Sequence, residues 1–175
     1  KAEAEGVPVV RVKAGDRIAG IPGAEIRVLG PASGKAAARL SGNGASLLVR
    51  VGCGNGSALF TGDIDSKGLA ALPPASIPGL DAEVIAIPHH GSPGSRSALL
   101  VRSAGARLAL VSARRGFASE EVLRDYRDSG AAVLATWTLG AIVLERAKNR
   151  WTARGWRDGT CGLGPSSSSP APFQP

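Results

Sequence analysis

The sequence predicts an α/β protein, a layered sandwich in which helices cover a sheet. Three observations lead there. The run Glu83-Val84-Ile85-Ala86-Ile87 is short, rich in Val and Ile, and closed by Pro88, which reads as a buried strand. The run Ser57-Ala58-Leu59-Phe60-Thr61 reads the same way and is closed by Gly62. Through the middle of the chain strand-like and helix-like segments alternate, while both ends are strand-rich, a pattern that lays helices over a sheet.

From the N-terminal end, Val7-Pro8-Val9-Val10-Arg11-Val12 reads as a strand whose Pro8 places it at an edge or a strand start. Ala14-Gly15-Asp16 is a turn. Glu25 to Leu29 alternates polar and apolar, as a half-exposed strand does. Residues 30–44 form a loop rich in Gly, Ala and Ser. Ala45 to Val51 is a strand, and Gly52-Cys53-Gly54-Asn55-Gly56 connects it to the 57–61 strand through an Asn-Gly turn signal.

Asp65 opens a short helix to Leu72, which Pro73-Pro74 stops. Ser95 to Ala104 is a helix with Leu99, Leu100 and Ala104 on its apolar face. Arg107 to Val111 is a strand. Ser119 caps a helix over Glu120–Asp128 with Val122, Leu123 and Tyr126 inward, and Gly130 ends it. Ala131 to Ala135, Gly140 to Glu145 and Trp151 to Gly155 are the last strands, with Trp151 and Trp156 in the core. The chain is one domain over residues 1–164. The Ser- and Pro-rich residues 165–175 cannot pack a core and are expected to be disordered.

Composition bounds the function. A chain of 175 residues buries roughly 68–70% of its unfolded surface, enough for a core without staples. There are 21 Lys and Arg against 14 Asp and Glu, a net charge of +7, which favours polyanionic partners such as nucleic acid or simply a basic solvated surface. No aromatic platform interleaves with the basic residues, which argues against single-strand binding by stacking. Cys53 and Cys161 could pair in an oxidising compartment or be buried small apolar side chains, and free thiols are the expectation. No signal peptide or long apolar span is visible. No methionine is present, so the sequence is expected to start inside a longer polypeptide.

The chemistry gathers at two strand ends. Asp63 leaves the 57–61 strand, and His89 and His90, the two histidines of the chain, leave the 83–87 strand. A carboxylate and an imidazole so delivered are the raw material of a metal site or an acid–base pair.

The strings Thr61-Gly62-Asp63, Pro88-His89-His90-Gly91-Ser92 and Ala109-Leu110-Val111-Ser112 resemble the metallo-β-lactamase fold. With Gly15-Asp16-Arg17 and Asn43-Gly44-Ala45-Ser46, they are most similar to the C-terminal domain of the competence DNA-uptake protein ComEC family. The resemblance runs from about Val7 to about Leu144. It implies an αββα sandwich, of which this chain holds mainly the C-terminal half, with the site on one edge between two sheets.

It implies Asp63 and His90 as catalytic metal ligands and His89 as a metal ligand or its neighbour. A divalent Zn or Mn ion is the implied cofactor in intact relatives. In this chain, with two histidines, no tightly held metal is expected, because the relatives' His- and Asp-rich cluster would lie before Lys1. Gly91 and Ser92 are candidate phosphate contacts through backbone N–H groups. Asn43, Ser46, Arg96, Arg114 and Arg115 are further candidates. Each residue also has a plainer reading: Asp63 as a helix N-terminal acid, the histidines in local hydrogen bonds, Gly91 and Ser92 as an ordinary turn, Asn43 and Ser46 as a strand cap, the arginines as solvated surface.

The sequence departs from the family at Gly116-Phe117-Ala118-Ser119, where a Gly-His-Pro type loop is usual, and at Trp137-Thr138-Leu139-Gly140, where an acidic residue is usual. The implied role is a metal-dependent nuclease that degrades one strand of incoming DNA. It would sit on the extracytoplasmic side of the membrane beside a channel in the same polypeptide, with DNA as partner and no small-molecule cofactor. The alternatives are a non-catalytic module that binds DNA or braces the channel, and a metallo-hydrolase of small molecules.

Overall fold

A computed structural model describes residues 3–34, 40, 42–147, 150–157 and 159–162. The predicted tail, 165–175, lies outside the described residues. Seven strands form one mixed sheet in chain order: β1 (Arg17–Ile18), β2 (Ala24–Gly30), β3 (Leu48–Cys53), β4 (Gly56–Phe60), β5 (Val84–Ala86), β6 (Leu108–Val111) and β7 (Ala132–Ala135). β1 to β4 pair antiparallel and β4 to β7 parallel. A second sheet holds β8 (Ile142–Ala147), β9 (Arg150–Gly155) and β10 (Gly159–Gly162), all antiparallel.

The strands alternate between two cores, as a period of two requires. Leu59, Ile85, Ala109 and Val111 face helices α1 (Ser66–Ala70), α2 (Ala98–Ala104) and α3 (Glu120–Asp128). Ala58, Val84, Leu108 and Leu134 face the small sheet, meeting Ala153, Leu144 and Trp151. The layers are therefore helix, large sheet, small sheet. Because the parallel strands are covered on both faces, they read in sequence as continuous apolar runs.

Local chemistry sets the helix ends. The Asp65 carboxylate accepts the Gly68 N–H at 2.8 Å and starts α1. The Ser97 hydroxyl oxygen accepts the Leu100 N–H at 3.2 Å and starts α2, which ends at Gly105 in the left-handed region. Ser119 stands at the start of α3, but its hydroxyl donates to Glu121 rather than accepting a backbone N–H.

Several expectations are corrected. Residues 7–12 form no strand; Val7, Val9 and Val10 are exposed, and β1 pairs with β2 in their place. Leu99 points outward and Val101 takes its place in the core. The hairpin turns at Gly54–Asn55, with Gly54 at φ 56 and Gly56 already paired to Cys53. Positive φ at the first turn position alone is the type II′ pattern, not the Asn-Gly type I′ turn. Trp156 is 84% exposed, because it lies in the turn after β9 rather than in the strand. Cys53 is an exposed free thiol, not a buried one; the Cys161 side chain lies outside the described residues. Thr136–Leu139 is a one-turn helix, α4, and β10 is an added strand.

Candidate functional site

Three parallel strands and one antiparallel neighbour bring their chemistry to one edge of the sheet. β4 ends at Phe60, the Thr61 hydroxyl donates to the Ala86 carbonyl at 2.6 Å, and Gly62 turns at φ 54 to present Asp63. β5 ends at Ala86, and Ile87 keeps to β6 through its N–H on the Leu110 carbonyl at 2.7 Å. Pro88 to Gly91 then coil tightly. β3 runs antiparallel to β4, so its start lies at this same edge and is fed by the 3-10 turn Gly42–Ala45. That turn is pinned by α1: a Cβ on Gly68 would lie 2.5 Å from the Gly44 carbonyl oxygen.

The two imidazoles are held in different ways. His90 Nδ1 lies 2.6 Å from the Ser112 carbonyl oxygen at the end of β6. A carbonyl oxygen only accepts, so Nδ1 carries the hydrogen and the neutral ring keeps a lone pair on Nε2. That Nε2 faces Asp63 Oδ1 at 3.5 Å. Two acceptors thus face each other across a gap that a proton or a metal cation would bridge. Holding one ring nitrogen on a carbonyl while the other points at a cation is how metal-binding histidines are oriented. Phe117 packs edge-on against the His90 ring, centroids 6.2 Å apart. The Asn43 amide donates to the His89 ring, 3.2 Å from Nε2. Ser46 sits beside Gly62, where a Cβ would come within 3.5 Å of Ser46 Cβ.

The backbone beneath the imidazoles is strained. His89 has φ 48 and ψ 43, and His90 has φ 56 and ψ 21. Left-handed geometry costs a non-glycine residue on the order of 1–3 kcal/mol, and such strain gathers at functional sites. A ring of hydrogen bonds offsets it. His89 N–H donates to the Gly62 carbonyl at 3.0 Å, and the Ser95 hydroxyl donates to the Pro88 and Ser92 carbonyls. Ser119 N–H donates to the Gly91 carbonyl at 2.9 Å. In denaturant titrations, His90→Gly is expected to be more stable than His90→Ala by about 1 kcal/mol, since only glycine takes this φ freely. Equal stability of the two variants would mean that the backbone carries no strain.

The structure therefore brings Asp63, His89, His90, Asn43 and Ser46 together. Gly91 serves the packing: a Cβ there would meet the Ala118 side chain at 2.9 Å. Ser92 is spent locally, its N–H on the His89 carbonyl and its hydroxyl oxygen on the Gly94 N–H. Arg96 is not brought to the pair. Its guanidinium makes a bidentate bridge to Asp125 on α3 at 2.7 and 2.9 Å, which holds the Asp125 carboxyl below its usual range. Arg114 and Arg115 are exposed in the loop after β6 that carries Ser112 and Phe117. Sequence reasoning missed Ser112, which acts through its backbone carbonyl, and Phe117, which it read only as a departure from a family loop. Among the described residues, no group of three or more His, Cys, Asp or Glu is placed to hold a metal.

The fold and this edge define a layered α/β protein with a carboxylate–imidazole pair at the C-terminal ends of parallel strands, where open α/β sheets bind ligands. No protein-family model matches the chain. It is 30% identical over 153 residues, 85% of its length, to ComE operon protein 3 of Bacillus subtilis. It is 30% identical over 126 residues, 69% of its length, to competence protein ComA of Neisseria gonorrhoeae. It is also 31% identical over 120 residues to the uncharacterized protein YcaI of Escherichia coli. The chain belongs to the ComEC family of competence proteins. It spans 15–19% of the length of these relatives. Among the described residues, no helix is long and apolar enough to cross a membrane.

Proposed function

We propose that this chain is a metallo-β-lactamase-like domain, mainly the C-terminal half of an αββα sandwich, acting in a DNA-internalisation protein as a metal-dependent nuclease that degrades one strand of incoming DNA. The observation that carries the reading is the facing of Asp63 Oδ1 and His90 Nε2 with His90 Nδ1 already committed to Ser112. An imidazole nitrogen and a carboxylate oxygen suit Zn or Mn. They fit as part of a ligand set, because a catalytic zinc takes three protein ligands; we assign the remainder to residues outside this chain.

A metal centre held in part by Asp63 and His90 would supply Lewis acidity and activate water for phosphodiester hydrolysis. This chain's residues do the rest. Ser112 fixes the His90 ring in the tautomer that leaves Nε2 available. Phe117, edge-on to the His90 ring, limits the ring's rotation. Asn43 holds His89 beside the pair. Arg114 and Arg115, in the adjoining loop, supply positive charge for a phosphodiester. The domain would work on the extracytoplasmic side, next to a channel carried elsewhere in the polypeptide.

One observation favours a second reading, a non-catalytic module that binds DNA or braces the channel: the described residues offer two facing donors rather than three. The deciding experiment is metal analysis of the purified full-length protein with a nuclease assay on duplex DNA, wild type beside Asp63→Ala. The nuclease reading expects a divalent metal in the wild type and a loss of cleavage of about 100-fold or more in the variant, the scale set by losing a charge-stabilising group. Cleavage unchanged by Asp63→Ala removes Asp63 from the mechanism. Metal-independent, salt-dependent DNA binding without cleavage establishes the second reading.

A further inference from the structure

Three arginines stand in a row across the outer strands of the large sheet. Arg17 on β1 lies directly opposite Arg27 on β2, and Arg27 lies directly opposite Arg50 on β3. Residues directly opposite share a face of the sheet, so the three side chains form one ladder. Its next rung is Leu59 on β4, which is fully buried under the helices. The arginines therefore occupy the helix-side face beyond the helices, where Pro74–Leu80 forms the facing wall. The two walls enclose a groove of about 480 Å³ lined by the three arginines with Ser76, Pro78 and Gly79.

Like charges placed directly opposite on neighbouring strands repel. One carboxylate serves two of the three: Glu25 Oε1 lies 2.8 Å from Arg27 and 3.2 Å from Arg17. The Arg27 hydrogen bond, aided by the charges of Arg27, Arg17 and Arg50, holds the Glu25 carboxyl below its usual range. Arg50 donates its Nε–H to the Asp81 backbone carbonyl at 2.8 Å and has no ion pair among the described residues. Asp16, at the groove's end, accepts the Lys13 backbone N–H. Elsewhere Arg96, Arg127 and Arg154 each have a carboxylate of their own. Three guanidinium groups against the Glu25 and Asp16 carboxylates leave this groove net positive, with Arg50 making no ion pair among the described residues.

We propose that this groove is a second binding site, separate from the Asp63–His90 edge, and that it holds the sugar-phosphate backbone of a nucleic acid strand. Two interstrand steps place the outer arginines roughly 10 Å apart, about three axial steps of ~3.4 Å along a stacked strand, so the row spans several phosphates rather than one. The row runs across three strands and is open, with Arg17 67% and Arg27 43% exposed, which suits an extended polyanion better than a compact one. Guanidinium groups bind phosphate oxygens in pairs. Among the described residues, no aromatic side chain lines the groove, so it grips backbone and leaves bases unread. The choice of nucleic acid among polyanions rests on the DNA-uptake reading; the net-positive ladder does not.

The test is the anisotropy of a short labelled single-stranded oligonucleotide with the 175-residue chain, without metal, across a salt series. Wild type should bind, and Arg17→Gln/Arg27→Gln/Arg50→Gln should weaken binding at least tenfold and lower the log–log salt slope by about 2, three phosphate contacts at ~0.7 each. Arg50→Gln alone should fall between. A variant with the same charge change elsewhere, Lys67→Gln/Arg102→Gln/Arg124→Gln, should bind like wild type, and thermal melts confirm that each variant is folded. Equal binding by the ladder variant and wild type overturns the proposal, as does equal loss in both triple variants. Displacement by inorganic phosphate at the same total phosphate concentration overturns the assignment to a polynucleotide. Because binding is read without metal, a failed metal centre leaves this result standing, and a failed ladder leaves the metal test untouched.

Discussion

Ile85→Ala should destabilise the chain by about 2–5 kcal/mol, the range for truncating a fully buried aliphatic side chain. For a chain of this size that lowers the thermal midpoint by roughly 4–20 °C, measured by circular dichroism. Ile85 has no exposed surface. It sits on β5, between Leu59 of β4 and Ala109 of β6, both also fully buried on the helix side. Ala109 is small, so Ile85 fills space that its neighbour cannot. Packed on both sides by paired strands, the site collapses poorly, which places the cost above a simple transfer term. Leu99→Ala is the contrast. Leu99 has the same kind of side chain on an amphipathic helix, but it is 39% exposed, and surface truncations fall within about 0.5 kcal/mol. Comparable costs for the two variants would mean that β5 is not at the centre of the core. The same strand delivers Pro88 to Gly91, so the Ile85 variant should also loosen the His90 geometry before it unfolds.

That strand shows why part of the site could be read from the sequence. A parallel strand covered on both faces is apolar at nearly every position, so β5, and β4 apart from Ser57, stand out as apolar runs, and the residues just past each run sit at a sheet edge. Asp63 and His90 were legible on that ground alone. Their facing oxygen and nitrogen atoms were not, because the angle between two strand ends depends on Gly62 and on two histidines in left-handed geometry. Ser112 contributes a backbone carbonyl, which any residue type provides. The arginine ladder was hidden for a related reason. Arg17, Arg27 and Arg50 are separated by loops, and only the register of β1, β2 and β3 makes them neighbours. Residues 7–12 carry the alternation of a strand, but a strand exists only where a partner edge is open, and β1 occupies that edge. Thr136-Trp137-Thr138-Leu139 has strand-like composition yet forms a helical turn. The Thr136 hydroxyl exchanges hydrogen bonds with the Ala113 backbone N–H and carbonyl, a tertiary contact that local propensity does not register.

Glu83→Ala should cost about 3 kcal/mol, and its physical reason lies at the opposite end of β5 from the histidines. Glu83 Oε2 accepts from Arg146 of β8 at 2.6 Å and from the Trp151 indole N–H of β9 at 2.9 Å. The Arg146 guanidinium also lies over the Trp151 ring, 5.4 Å from its centre. One carboxylate oxygen thus ties two of the three strands of the small sheet, β8 and β9, to the large one. Gly56 leaves the room for it: a Cβ there would overlap the Arg146 guanidinium. The Arg146 side chain is 8% exposed and that of Glu83 34%. Removing Glu83 strands a buried guanidinium and a partly buried indole N–H, and an uncompensated buried charge costs about 3–5 kcal/mol. The lower end applies because Glu83 keeps contact with water. Replacing both partners, Glu83→Leu with Arg146→Leu, should recover most of that loss, since an apolar pair of similar volume is often neutral. A double-mutant cycle in urea measures the coupling. If the two single changes simply add, the contact between the sheets rests on Leu144, Trp151 and Ala153 packing against Val84 and Leu108, and the ion pair contributes nothing to it.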